Sequence, residues 1–447
     1  MRPSLQAIEK LSRGAAAVLL VVMACLISVR PAYAVDVQRI ESPSGIVALL
    51  VEDNTNPIIN LRFTFRGGSA LDPLGMEGLA NIVSGLLDEG AGDIDSQAFQ
   101  RRLEELAVGL SFSDGRDSFG GTLTTLTDNR DEAFDLLRLA LTAPRFDEEP
   151  VSRIRSQILA GLRQESESPD AIAGKTLFKT LFGEHPYGRP SGGTEESVAA
   201  ISIDAMRTFV AKRLARDNLV IGVVGDITPT ELGALLDKTF GGLPANASSW
   251  QLPDVSPPEK GQQIVVQKAV PQSAILFAHN GLMREDKDFY AAYVMNYILG
   301  GGGFTSRLYN EVREKRGLAY SVYSYLSPYE HTALILGGAG TANTRVGETL
   351  QVVRDEWRRL TEQGASKEEL DDAKTYLTGS YPLRFTASGQ IAGMLVGIQL
   401  DHLGDDYFDR RNDYIEAVTL EDVNRVARQW LNADALTIVI VGEPESL

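Results

Sequence analysis

The sequence predicts an α+β protein of two similar halves, each a mainly antiparallel sheet covered by helices. Both halves show the same order of expected elements: two strands, helices, two further strands, long helices and a returning strand. Each half also closes on an apolar run that leads into a glycine, at residues 219–226 and 436–443. Blocks of strands that alternate with blocks of helices are typical of helices layered on a sheet.

The first half is expected to span residues 35–244. Short apolar and β-branched runs predict its strands, and apolar residues at helical spacing predict its helices. The expected strands are residues 46–52, 58–66, 110–113, 118–126 and 219–226. The expected helices are residues 76–89, 95–107, 130–141, 148–165 and 170–181, and a later one is entered at residues 202–204.

The second half, residues 263–447, repeats this order. Its expected strands are residues 264–268, 273–280, 319–326, 333–340 and 436–443. Its expected helices are residues 289–299, 345–362, 367–385 and 389–403, and a later one is entered at residues 419–421. Residues 245–262 join the halves, and their three prolines among polar residues predict an extended linker.

The first 34 residues have the features of a secretory signal peptide. A basic start precedes an apolar run at residues 14–29, which is shorter than a typical membrane span. Ala32-Tyr33-Ala34 is a small-x-small cleavage pattern, so the mature chain is expected to start at Val35. We expect a periplasmic protein, with full secretion or a lipid anchor at Cys25 as the alternatives.

Composition narrows the classes of partner and chemistry. The formal net charge of −17 argues against nucleic acid and anionic membranes as partners, because both would repel an acidic protein. Such a charge favours basic segments of a substrate or partner. The single cysteine lies in the expected signal, so we expect neither disulfide nor thiol chemistry in the mature chain. The sequence shows no Walker phosphate loop, dinucleotide fingerprint or Ser/His/Asp constellation.

The most informative stretch lies at residues 299–322. Four successive glycines, Gly300–Gly303, end an apolar helix and free the backbone to turn. A second helix is expected to start with Thr305 or Ser306 as its cap. A strand is expected to follow Gly317. Arg313 and Tyr320 flank that last turn, so both side chains can project into one space.

This stretch, SRLYNEVREKRGLAYSVYSYL, resembles the C-terminal half of the pitrilysin-like peptidases, the inverted zincins of family M16. In that family the Arg-x6-Tyr spacing supplies an arginine and a tyrosine that face the zinc site across a cavity. The resemblance implies this role for Arg313 and Tyr320. It extends over residues 35–447 and also implies two halves that pair with a partner's two halves around a chamber.

The metal motif of the family is absent from this chain. Catalytic members carry His-x-x-Glu-His on the first helix of the N-terminal half, where the histidines bind Zn²⁺ and the glutamate is the general base. In the matching register this sequence has Asn81, Ser84 and Gly85, and Gly161 stands where a further glutamate ligand belongs. We therefore expect no metal in this chain, and zinc in a catalytic sibling that carries the motif.

The function that these features predict is that of a non-catalytic subunit of an exported zinc peptidase. Peptide substrates are expected to add to an exposed strand edge, for which residues 118–126 and 333–340 are candidates. Gly337 and Gly338 suit close backbone approach there, and Gly301 and Gly302 are further candidates for substrate contact. An inner strand that needs small residues for packing, and simple helix termination, explain the same glycines without a ligand.

Two other functions remain open at this stage. One is a structural or peptide-binding scaffold of the same fold with no role in proteolysis. The other is an enzyme that acts alone through a site of another kind. The accessory subunit differs from both because its activity would need a partner and would depend on Arg313 and Tyr320.

Overall fold

Two sheets organise the computed structural model, which describes residues 35–445 and residue 447. The first half forms a sheet in the order β1-β2-β6-β3-β5-β4. Its strands are β1 (Gln38–Glu41), β2 (Val47–Glu52), β3 (Ile58–Arg66), β4 (Gly109–Asp114), β5 (Ser118–Leu126) and β6 (Leu219–Gly225). Its helices are α1 (Leu79–Ser84), α2 (Ser96–Glu105), α3 (Arg130–Thr142), α4 (Glu148–Glu167), α5 (Pro169–Phe182), α6 (Glu195–Ala200), α7 (Ile203–Arg213) and α8 (Pro229–Phe240).

The second half forms a five-stranded sheet in the order β7-β11-β8-β10-β9. Its strands are β7 (Gln263–Gln267), β8 (Gln272–Asn280), β9 (Ala319–Pro328), β10 (Ala333–Ala342) and β11 (Thr437–Gly442). Its helices are α9 (Phe289–Asn296), α10 (Val346–Gln363), α11 (Lys367–Gly379), α12 (Ser388–Leu400), α13 (Tyr407–Glu416) and α14 (Leu420–Trp430). Two short π-helical segments, Tyr297–Gly301 and Tyr309–Glu314, follow α9.

The two sheets share one topology. Strands β2-β6-β3-β5-β4 correspond in order and direction to β7-β11-β8-β10-β9, and β1 is an addition at the edge of the first sheet. In the first half the returning strand β6 is parallel to β2 and antiparallel to β3. In the second half the returning strand β11 is likewise parallel to β7 and antiparallel to β8. The prediction of two similar α+β halves with mainly antiparallel sheets is therefore confirmed.

Several predicted elements differ in extent. The helix expected at residues 76–89 is shorter in the structure, where only α1 (Leu79–Ser84) forms. It starts after Gly78, whose φ of 91° is left-handed. The helix expected at residues 367–385 ends at Gly379, shortly before Pro382, and a 3₁₀ turn (Tyr381–Phe385) follows. The expectations missed β1, α6, α8 and α13, although α8 begins with a readable capping box, Thr228 and Glu231.

Residues 1–34 lie outside the described residues, and with them the predicted signal peptide and Cys25. Among the residues that are described, no helix is both long and apolar enough to span a membrane. The segment predicted as a linker, residues 245–262, forms neither helix nor strand. It contacts both halves, because the Pro253 carbonyl lies 2.9 Å from His185 Nε2 and the Val255 N–H donates to the His331 carbonyl.

One helix of each half packs on the sheet of the other half. Helix α5 of the first half packs on β8 and β11, where its Ala173 and Leu177 share an apolar cluster with Ala278 and Val439. Helix α12 of the second half packs on β3 and β6 of the first sheet. As each half's own helices already cover the opposite face of its sheet, both sheets are buried on two faces.

Polar contacts reinforce this exchange of helices. The carboxylate of Asp117 accepts hydrogen bonds from the Tyr187 hydroxyl at 2.5 Å and from the backbone N–H of Glu330 in the second half at 3.0 Å. Arg66, at the end of β3, donates to the carbonyl of Leu400 at the end of α12 at 2.8 Å. The halves are thus joined by both apolar and polar contacts.

Helix α12 of the second half approaches the first sheet closely at Gly222 on β6. A Cβ there would lie 2.5 Å from the carbonyl oxygen of Ala392 and 2.7 Å from Cβ of Leu395, both on α12. We expect Gly222→Ala to lower the free energy of unfolding by about 1–3 kcal/mol, because α12 must move away from the sheet. Urea unfolding followed by circular dichroism measures this change.

Gly174→Ala on α5 is the matched control. A Cβ at Gly174 has no heavy atom within 4 Å, so alanine should be neutral or stabilise the helix by up to about 1 kcal/mol. Equal stability of the two variants would contradict the close packing of α12 on β6.

Candidate functional site

Helix α1 carries the positions at which a zinc motif would stand. The Asn81 amide donates to Asp114 Oδ1 on β4 at 3.0 Å, so this side chain is hydrogen-bonded to the edge strand of the sheet. The Ser84 hydroxyl donates to the Asn81 carbonyl at 2.8 Å. Burial raises the pKa of Asp114, and the hydrogen bond from Asn81 partly offsets this effect. The hydrogen bond from Asn81 therefore ties the helix to the edge strand β4 of its own half.

The remaining two positions offer no ligand. A Cβ on Gly85 would lie 3.1 Å from Cγ2 of Ile154, so an apolar side chain of α4 fills the space beside α1. Gly161 lies exposed on α4. Within residues 35–445, no group of three or more His, Cys, Asp and Glu side chains could hold a metal ion. These residues do not fit a zinc ion, because none of the four positions offers a ligand.

The glycine turn lies against the edge strand β9. A Cβ at Gly300 would lie 2.7 Å from the Ser324 backbone nitrogen. One at Gly301 would lie 2.9 Å from the Asn296 amide nitrogen, and one at Gly302 would lie 2.8 Å from the Tyr297 carbonyl oxygen. Close packing accounts for these glycines, including Gly301 and Gly302, which the sequence suggested as substrate contacts. The turn continues α9 as a π-helical segment, a feature frequent near functional sites.

The structure brings Arg313 and Tyr320 together, as their spacing predicts. The Arg313 guanidinium carbon lies 5.5 Å from the centre of the Tyr320 ring and 4.8 Å from that of Tyr309. Arg313 Nη1 also donates a hydrogen bond to the Tyr309 hydroxyl. Tyr320 is 82% exposed, so its ring and hydroxyl face solvent beside the guanidinium group. The pair joins an exposed tyrosine hydroxyl and a half-buried guanidinium group through a cation–π contact.

A β-bulge aims Tyr320 outwards. Gly340 of β10 pairs with Ser321, whereas Thr341 pairs with Ala319, so Tyr320 is an extra residue without a partner in the ladder. A bulge shifts the alternation of side chains and redirects the residue it contains. The pairing that creates this bulge joins residues about 20 positions apart, and the sequence alone gives no signal for it.

Glu311 holds the backbone that carries Arg313. This carboxylate is only 6% exposed and accepts from Lys315 Nζ at 2.7 Å and from Arg316 Nη1 at 2.6 Å. Arg359 Nη1 on α10 lies 3.5 Å away. Burial alone would raise the pKa of Glu311, but these cationic partners lower it to about 2. The sequence analysis missed Glu311, although its spacing of four from Lys315 is a readable helical ion-pair signal.

The expectation that residues 118–126 and 333–340 form exposed edges is wrong. Strand β5 lies between β3 and β4, and β10 lies between β8 and β9. Gly337 and Gly338 are accordingly buried: a Cβ at Gly337 would lie 2.3 Å from the Phe277 ring, and one at Gly338 would lie 2.8 Å from the Tyr323 hydroxyl. Glycine is needed at both positions because aromatic side chains pack directly against the backbone there.

The open edges near these sites are β4 and β9 instead. The middle of β9 is covered, because the Ser324 carbonyl accepts a hydrogen bond from the Asn296 amide at 3.0 Å and the glycine turn packs beside it. Among the described residues, no hydrogen bond joins the outer backbone of β4 to another segment. Strand β4 therefore offers unpaired backbone groups to an incoming strand.

Two family models match the chain. Residues 47–195 match the model described as insulinase, peptidase family M16. Residues 200–377 match the model described as the peptidase M16 inactive domain. Together the matches extend over both halves and include α1 as well as the segment with Arg313 and Tyr320.

Relatives and solved structures agree with these matches. A Helicobacter pylori protein named non-peptidase homolog YmxG is 28% identical over 396 residues, which cover 87% of this chain and 90% of that protein. A Bacillus subtilis protein named uncharacterized zinc protease YmxG is 24% identical and is covered to 98%. The crystal structure of a peptidase M16 inactive domain from Pseudomonas fluorescens superposes with a TM-score of 0.85 at 30% identity, covering 91% of this chain and 98% of that one.

The pH dependence of stability tests the role of Glu311. Because its pKa in the folded protein is about 2, well below the ordinary value, the ionised group stabilises the fold above about pH 4.5. That contribution is lost as the pH falls from about 4.5 towards 2. We expect Glu311→Gln to lower the free energy of unfolding at pH 7 by roughly 3 kcal/mol.

The gap between Glu311→Gln and the unchanged protein should narrow below pH 4.5, measured by urea unfolding between pH 7 and pH 3. Glu348→Gln removes an exposed carboxylate paired with Arg345 and should change stability little at any pH. A gap of the same size at pH 3 and pH 7 would show that Glu311 is not ionised in a stabilising pair.

Proposed function

The chain belongs to the peptidase M16 family, and we propose that it acts there as a non-catalytic subunit that supplies Arg313 and Tyr320 to a partner's active site. One observation carries the proposal. An exposed Tyr320 lies beside a half-buried Arg313, and a bulge and an ion cluster hold the two in place, although Asn81, Ser84 and Gly85 leave α1 without ligands. Such a pair can take part in peptide cleavage only if the zinc ion and its ligands belong to another chain.

The chemistry suits the two side chains. When water adds to a peptide carbonyl, the oxygen gains negative charge, and donors already in position stabilise that charge. The Arg313 guanidinium is a permanent cation with several N–H donors, and the exposed Tyr320 hydroxyl can donate one hydrogen bond. Both groups need only reach the peptide, so they can belong to a chain without a metal site.

The proposed partner is a sibling of the same family that carries His-x-x-Glu-His and binds the zinc ion. Peptides are the proposed substrates. An extended peptide could add to the open edge of β4 through main-chain hydrogen bonds, whereas Asn296 closes the middle of β9. The net charge of −17 favours peptides or partners with basic segments.

The proposed location is the periplasm, reached through cleavage of the signal peptide at residues 1–34. The basic start, the apolar run and the Ala32-Tyr33-Ala34 pattern support it. Release into the medium and a lipid anchor remain the alternatives, and fractionation of cells that express the full chain separates the three.

A peptide-cleavage assay on the native complex tests the catalytic contribution. We expect the mature chain to co-purify a His-x-x-Glu-His sibling and the complex to cleave peptides, with a chelator stopping cleavage. Tyr320→Phe and Arg313→Ala should each lower kcat/KM by about 10²–10³, the usual cost of removing one donor to the developing charge. The isolated chain should cleave nothing.

Arg358→Ala on the exposed face of α10 is the control and should leave cleavage unchanged, because its carboxylate partners Asp355 and Asp434 are themselves largely exposed. Complex formation should survive all three substitutions. If the complex forms but cleavage ignores Arg313 and Tyr320, the chain is a scaffold. Cleavage by the purified single chain would overturn the subunit role altogether.

A further inference from the structure

A cavity that includes neither Arg313, Tyr320 nor the positions on α1 lies among the helices of the second half. It has a volume of about 260 Å³. Its walls come from α9, α12, α13 and the 3₁₀ turn at Tyr381–Phe385. The lining combines aromatic rings with the side chains of Arg284, Arg384 and Arg411. Such a mixture of apolar walls and a few convergent polar groups is typical of small-molecule sites.

Arg411 is a buried cation without a counterion. It is 5% exposed, and its guanidinium carbon lies 4.3 Å from the centre of the Tyr381 ring. Nη1 donates to the Leu377 carbonyl at 2.7 Å and to Asn412 Oδ1 at 3.0 Å. In the described part of the chain no carboxylate lies within ion-pair distance of it. A buried charge of this kind is unfavourable unless something compensates it.

Tyr381 adds an unsatisfied hydroxyl to the same wall. The residue is 5% exposed, and its hydroxyl has no hydrogen-bond partner among the described residues. Burial raises the pKa of this phenol to about 12, so it keeps its proton at neutral pH and can donate. Buried polar groups without partners are rare in native proteins and call for an explanation.

The charge of the lining is positive overall. Arg284 is paired with Asp401 at 3.4 Å and donates to the hydroxyls of Tyr290 and Tyr407. Arg384 is exposed on the 3₁₀ turn, and the described residues place no carboxylate within 4 Å of it. The cavity thus has three cations and one paired carboxylate, in a protein whose net charge is −17.

We propose that this cavity binds a small organic carboxylate with an aromatic or aliphatic body. Arg411 and the Tyr381 hydroxyl would hold the carboxylate, Arg384 would attract it at the surface, and the aromatic walls would enclose the body. The planar fork of a guanidinium group matches the two oxygens of a carboxylate. The volume of about 260 Å³ lies slightly below the usual range of ligand pockets, about 300–1,000 Å³, which suits a ligand with a single ring.

The same chemistry is available from two sources, a free carboxylic acid or the C-terminal carboxylate of a peptide that ends in an apolar residue. The proposal does not depend on the subunit role proposed above, because it concerns other residues and needs no partner chain. It also explains why, among the described residues, Arg411 has no carboxylate partner and the Tyr381 hydroxyl has no hydrogen-bond partner on the same wall.

Calorimetric titration of the mature chain tests the site with named probes. These are 3-phenylpropanoate, the tripeptide Gly-Gly-Phe, its C-terminal amide and inorganic phosphate. We expect 3-phenylpropanoate, the tripeptide or both to bind at millimolar concentration or below, and the amide and phosphate to bind at least tenfold more weakly. A preference for the tripeptide identifies a peptide terminus, and a preference for the free acid identifies a small molecule.

Tyr381→Phe is the decisive variant, because it removes only a hydroxyl that makes no hydrogen bond within the described chain. It should fold normally and weaken binding about tenfold, the loss expected for one hydrogen bond to a charged group. Arg384→Gln, on an exposed residue, should weaken binding as well. Tyr376→Phe, on an exposed tyrosine outside the cavity lining, should not.

The proposal fails if neither carboxylate binds at millimolar concentration, or if the amide or phosphate binds as tightly as the acids. It also fails if Tyr381→Phe and Arg384→Gln both bind like the unchanged protein. Arg411→Gln is informative only if it folds, and the other two variants decide the question without it.

Discussion

The exchange of helices between the halves is the constraint on which the rest of the structure depends. A sheet with two apolar faces needs two layers of helices, and each half supplies only one layer for itself. Helix α5 covers the second sheet and α12 covers the first, so neither sheet is complete without the other half. At Gly222 the packing of α12 on the first sheet is so close that a Cβ would collide with the helix. The halves therefore fold into one body, and the edges and loops of each have fixed positions.

On that body, backbone irregularities rather than regular elements place the side chains of interest. Arg313 lies on a π-helical segment and Tyr320 in a bulge, and both features are departures from ideal geometry. The glycine turn packs against β9 because its residues lack side chains, and Glu311 joins the π-helical segment to α10 through Arg359. Irregular backbone of this kind is commonly kept where a side chain must point in an unusual direction.

Sequence reasoning reached the order of elements, the two similar halves and the proximity of Arg313 and Tyr320. These follow from local signals: periodicity, caps, glycine runs and spacing. It failed where the answer depends on pairing between distant segments. Strand β10 looked like an edge because its glycines suit close approach, but β9 pairs outside it. The helix exchange, the bulge at Tyr320 and the cavity around Arg411 each join residues that no local pattern connects.

The contact between Gly85 and Ile154 bears on whether a metal site could be built on α1. Ile154 of α4 lies so close that a Cβ at position 85 would already be 3.1 Å from its methyl group, and an imidazole ring extends well beyond a Cβ. Histidine at position 85 would therefore have to displace the Ile154 side chain. A metal site built on α1 would thus require a change in α4 together with the new ligands.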